Sequence, residues 1–106
     1  MKKIVYIAHA IGAKTQEGIE ENLKNLRRII SIINHDSSLN VVPFCPYYAD
    51  VVSMDDNNVL DRQIGFSNNT CILRRKGMVD EIWLVGSRIS SGMEYEMDVA
   101  AEEGIP

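Results

Sequence analysis

The sequence predicts an α/β domain, a three-layer parallel sheet built in the order β-α-β-α-β-α. Three observations carry this. Short apolar runs recur at Ile4 to Ala8, Val41 to Phe44 and Glu81 to Val85, and helical apolar spacing separates them. Gly77 and Gly104 close two of the intervening segments, as helix-terminating residues do. At 106 residues the chain is one domain, residues 1–106, with no internal repeat, linker or low-complexity tract.

The first run, IVYIA, is continuous, β-branched and aromatic, which suits a strand covered on both faces and central in its sheet. From Thr15 to about Asn34 the residues Ile19, Leu23, Leu26, Ile30 and Ile33 recur at steps of four and three. They form one apolar stripe, with Thr15 as N-cap and Glu17 in the first turn. In VVPF, Pro43 removes a ladder donor and assigns the second strand to an edge or a strand end. Cys45 to Asn57 shows no clean period and is expected to be a long loop or lid. Asn58 to Lys76 carries a weaker stripe of Leu60, Ile64, Ser67, Cys71 and Ile72, interrupted by Gly65 and the polar SNNT at Ser67 to Thr70. EIWLV is the third strand, and Ser91 to about Glu103 the third helix. The chain reaches Gly-Ile-Pro where such folds enter a further strand, so a bare edge or a neighbouring chain beside it is expected.

A net charge of -4 gives no electrostatic footprint for a nucleic-acid backbone, and no polynucleotide partner is expected. Neither is a membrane partner. The opening MKKIVYIAHAIGA has the look of a secretory leader, but its apolar core of Ile4 to Ala8 is too short and His9 interrupts it. Cys45 and Cys71 are far apart, with no metal-type or redox spacing, and read as thiols of a reducing cytosol. The expected location is cytoplasmic. No His/Asp/Glu cluster has ligand spacing, so neither metal nor cofactor is expected.

In open sheets of flavodoxin-like order, strands 1 and 3 are neighbours, and ligands lie beyond their carboxyl ends where the connections diverge. The loops there are HAIGAK, His9 to Lys14, and GSRISSG, Gly86 to Gly92. The second enters a helix, whose free amides and positive dipole end favour an anionic or hydroxyl-rich ligand. It is not a Walker loop, since no Lys-Ser or Lys-Thr follows the second glycine. A structural turn with a Ser N-cap explains the same residues. On the helix, Met93, Met97, Ala100 and Gly104 fall on one side, and Glu96 stands about sixty degrees from them. Periodicity leaves Glu96 as either a boundary carboxylate that reaches water or a functional acid one turn inside the pocket.

Residues Tyr6 to Ala8 (YIA), CPYYAD, and Val79 to Pro106 (VDEIWLVGSRISSGMEYEMDVAAEEGIP) resemble the nucleoside 2-deoxyribosyltransferase-like superfamily, closest to its bacterial and phage branch. The Gly-x-x-x-Glu-x-x-x-Ala core falls on Gly92, Glu96 and Ala100. The resemblance implies a nucleoside or nucleotide ligand, with Glu96 as the nucleophile that attacks the anomeric carbon. A carboxylate, with an ordinary pKa of about 4.3, can form a glycosyl ester that water or a second base resolves. It further implies that Ser90, Ser91, Gly92 and Met93 surround the sugar or its 5′-phosphate, with Arg88 adding charge. Tyr6 and His9 then face base and sugar; Tyr47 and Tyr48, in the long loop, either stack on a base or cover an interface. Asp50, Asp55 and Asp56 are the candidate proton donors to the leaving base, whereas Asp80, at the far end of strand 3, is structural. Where the transferases usually have Asp-Ser-Gly followed by Thr or Ala, this chain has Ser90-Ser91-Gly92 followed by Met93. They also complete each site from a neighbouring subunit, which implies a homodimer or higher oligomer. Three readings follow: cleavage or exchange of an N-glycosidic bond, a nucleotide or nucleotide-signal binder without turnover, and a structural or interaction domain whose pocket is vestigial.

Overall fold

A computed structural model describes residues 1–55 and 57–106. Its elements are β1 (Lys3–Ala8), α1 (Gln16–His35), β2 (Val41–Phe44), α2 (Tyr47–Ser53), α3 (Val59–Arg74), β3 (Glu81–Leu84) and α4 (Ser91–Glu102). The three strands are parallel in the order β2-β1-β3, so β1 is central and the Pro43-bearing strand is at an edge. Tyr6 is level with Phe44 on one side and Ile82 on the other. This is the α/β layered fold the sequence predicts.

β1 is central because its side chains suit burial on both faces: Val5, Tyr6, Ile7 and Ala8 have no exposed surface. Tyr6 meets α2 through Tyr47 and α4 through Glu96, so those two helices share one face of the sheet. Right-handed crossovers in a 2-1-3 order place α1 on the other face. There its stripe is used as its spacing predicts, with Ile19, Leu23, Leu26 and Ile33 buried, and Thr15 accepts a hydrogen bond from the Gly18 amide as N-cap. Asp80 is structural as expected, accepting from the Ile4 amide at 2.8 Å beside the start of β1.

Two expectations are corrected. The segment Cys45 to Asn57 is not all loop, because Tyr47–Ser53 forms α2. Tyr47 packs inward and donates from its hydroxyl to the Ile7 carbonyl at 2.7 Å, which anchors a helix whose own sequence has no regular apolar period. Second, the α3 stripe points outward: Leu60, Ile64 and Cys71 are exposed, and the buried residues are Asn69 and Leu73. α3 packs on α2 and α4 rather than lying flat on the sheet, so sheet burial does not select its orientation. It ends at Arg74, ahead of Gly77, whose positive φ of 78° serves the following turn. Beyond β3 the described residues add no further strand, in line with the expected missing one. Gly104, at φ 70°, turns the chain back after α4, and the Pro106 carbonyl accepts from the Ile82 amide at 2.9 Å.

Candidate functional site

Beyond the carboxyl ends of β1 and β3 the two predicted loops open a cleft of about 660 Å³. His9 and the loop after it form one wall, Arg88 to Met93 another, and α2 and α3 close the rest through Tyr47, Phe66 and Asn69. Glu96 is among its lining groups. The site therefore lies at the place where the strand connections diverge.

α4 begins at Ser90, whose hydroxyl accepts from the Met93 amide at 3.2 Å while the Met93 sulfur accepts from the Ser90 amide at 3.4 Å. That reciprocal cap sets the phase of the helix and holds Met93, 1% exposed, under the first turn. The inward face is then Met93, Glu96, Val99 and Ala100. This corrects the predicted face: Glu96 is inside it, not beside it, and Met97 is 38% exposed. A carboxylate takes the inward position because Tyr6, from the central strand, donates its phenol to it. Burial pushes the Glu96 carboxyl up to about 7, and the Tyr6 hydrogen bond offsets part of that rise. Burial and the neighbouring Glu96 raise the Tyr6 phenol, so it keeps its proton and remains the donor. Among the described residues no cation pairs with Glu96.

His9 is a fixed wall. Arg28 donates to the Asn25 Oδ1 at 2.7 Å, which turns the Asn25 amide nitrogen toward His9 Nε2 at 2.9 Å. His9 Nε2 therefore accepts, and its Nδ1 carries the proton that goes to the Ala10 carbonyl at 2.6 Å. Gly86 makes the fit possible: at φ 98° a Cβ there would lie 2.9 Å from His9 Nε2. Arg88 donates to the Gly12 carbonyl at 2.7 Å, tying the two loops together while lining the cleft. Ser91 and Gly92 contribute the first turn of α4, where amides lack helical partners.

Of the predicted ligand-facing residues, His9, Tyr47, Arg88, Ser90, Ser91, Gly92, Met93 and Glu96 come together around the cleft. Tyr6 reaches the site through Glu96. Tyr47 presents ring surface only, since its hydroxyl is taken by Ile7. Tyr48 lies outside the cleft and accepts from Arg27 at 3.0 Å. Asp50 and Asp55 do not line it either; Asp50 accepts from Asn68 and Asp55 from the Asn57 amide, and Asp56 lies outside the described residues. The cleft adds residues that the sequence reading missed: Arg62, Phe66 and Asn69. The polar SNNT inside an apolar-spaced helix was the one sequence signal for Asn69.

Residues 3–106 match the family described as a domain of unknown function, DUF7768. The chain belongs to that family. No curated protein and no solved structure matches it. In this DUF7768 domain no group of three His, Cys, Asp or Glu among the described residues is placed to hold a metal. Nor is any helix among them long and apolar enough to cross a membrane. What the cleft offers chemically is one buried carboxyl, a tyrosine donor to it, a helix N-terminus, and the cations of Lys14, Arg62 and Arg88 at its wall.

Proposed function

We propose that the cleft takes a nucleoside or nucleoside 5′-phosphate and that Glu96 attacks its anomeric carbon. The single observation that carries this is a buried carboxyl lining the cleft, free of any ion pair and held by Tyr6 below the first turn of α4. A Glu96 oxygen bonds to C1′ as the C1′–N bond breaks, and the base departs with the bonding electrons and acquires a proton. Water or a second base then attacks C1′, regenerating the carboxylate and releasing free sugar or a new nucleoside. The α4 amides at Ser91 and Gly92, with Arg88, hold the 5′ end; Phe66 and Tyr47 border the flat base.

One observation favours the second reading, a nucleotide binder without turnover. Among the described residues Glu96 is the only carboxylic acid lining the cleft, so no second acid is placed to protonate the leaving base. Chromatography of nucleosides and 5′-monophosphates incubated with the protein and with E96A, with and without a second base, separates the two. Base release or exchange by the wild type alone supports the glycosyl reading. Binding without release assigns the cleft to recognition.

The surroundings proposed with this reading are cytoplasmic, and the assembly a homodimer or higher oligomer. Cys45 and Cys71 remain unpaired, and Val59, Leu60 and Ile64 form an exposed apolar surface on α3 that a second copy would cover. Light scattering that returns the monomer mass of 11.9 kDa at working concentration would remove the oligomer from this reading.

A further inference from the structure

A buried residue of the cleft with no assigned role is Asn69. It lies on α3, is 8% exposed, and lines the same cleft as Glu96. Its Oδ1 is buried and accepts no hydrogen bond from any described residue. The other two buried polar side chains are both satisfied, His9 by Ala10 and Asn25, and Glu96 by Tyr6. Folded proteins rarely leave a buried amide oxygen without a donor, and a leucine at the same helical position would carry no such penalty. A polar group is explained there if the missing donor arrives with a ligand.

We infer that Asn69 reads the ligand: its carboxamide oxygen, shut off from solvent in the ligand-free chain, turns to accept a hydrogen bond from an uncharged hydroxyl or amino group of the molecule that fills the cleft. The surroundings separate this role from that of the cations. Arg62, Arg88 and the first turn of α4 are donors suited to an anionic group. Asn69 Oδ1 is suited to the opposite partner. Phe66, one turn before Asn69 on α3, borders the same space, with the Arg62 guanidinium 5.9 Å from its ring centroid. A flat base against Phe66 brings either its exocyclic amino group or a ribose hydroxyl to α3. The identity of these donors rests on the nucleoside reading above.

Calorimetric titration of wild type and N69L with three probes tests the assignment. The probes are adenosine 5′-monophosphate, its analogue lacking the 6-amino group, and its analogue lacking both ribose hydroxyls. The wild type is expected to bind one analogue about three- to tenfold more weakly than the parent, and N69L to bind that analogue and the parent alike. Whichever analogue is penalised names the donor. Without ligand, N69L is expected to melt about 4 °C or more above the wild type, because it removes the orphaned acceptor. N69A repeats the discrimination test if N69L does not fold. Equal discrimination by wild type and variant, or no gain in melting temperature for N69L, overturns the role of Asn69 alone. Failure of the wild type to bind any probe overturns both this role and the nucleoside reading.

Discussion

α1 and α3 are the two longest helices of the domain, and both carry apolar residues at helical spacing. They use them differently. α1 turns its stripe to the sheet and buries Ile19, Leu23, Leu26 and Ile33. α3 leaves Leu60 and Ile64 in solvent and spends its inward positions on Leu73 and Asn69. One helix is scaffold; the other trades apolar burial for a polar group facing a cleft. The contrast is one reason the proposed function is assigned to the cleft side of the sheet. α1 gives its buried stripe to packing and uses Asn25 only to hold His9, while the α2, α3 and α4 face gives up part of its core to a buried amide and a buried carboxyl. Natural proteins break local rules at sites that bind or react.

The largest effect is expected from Glu96. If the cleft face is catalytic, E96A lowers base release by about a thousandfold or more, as loss of a covalent nucleophile does, with retained folding checked by circular dichroism. Undiminished release by E96A would move the chemistry elsewhere. A direct comparison of the two helices comes next: L26A is expected to cost about 2–5 kcal/mol in chemical denaturation, and L60A to stay within about 0.5 kcal/mol. Equal losses would mean that the outer face of α3 is covered in solution.

The pH dependence of stability sharpens the same contrast. The Glu96 carboxyl rises from its usual 4.5 to about 7 on folding, so between those values the folded state holds a proton that the unfolded chain has released. Stability due to this group is therefore full below about pH 4.5, falls as pH rises toward 7 and is level above it. The total change is on the order of 3 kcal/mol, and E96Q removes the slope. Denaturation midpoints measured from pH 4 to 8 check it, and identical slopes for wild type and E96Q would refute it. The proposed activity has the opposite sign: a Glu96 nucleophile must be ionised, so any turnover is expected to rise with pH through about 7.

Two glycines of one loop are expected to differ in the same way. G86A is expected to lose about 1–3 kcal/mol, because φ is 98° and the added methyl meets His9. G92A is expected to fold as well as the wild type, since its Cβ would meet Phe66 at an ordinary 3.5 Å, yet to weaken nucleotide binding by narrowing the mouth of the cleft. Thermal melts and titrations on the two variants separate packing from ligand access. Unchanged binding in G92A would place the ligand away from the α4 N-terminus.

Much was determined by the sequence itself. The apolar run of β1, the stripe and Thr15 cap of α1, the edge position signalled by Pro43 and the positions of the two cleft loops rest on local rules of burial, capping and backbone geometry. Each can be read within a few residues. Tertiary structure decided the rest. α2 forms within an aperiodic segment because Tyr47 docks on Ile7, 40 positions away in the chain. α3 turns its stripe outward because it packs on helices rather than on the sheet. Glu96 faces inward because Tyr6, 90 positions away in the chain, supplies its donor. Asn69 Oδ1 stands without one because no described residue reaches it. Periodicity records which residues can share a face, but which face is buried depends on partners that only the folded chain brings into contact.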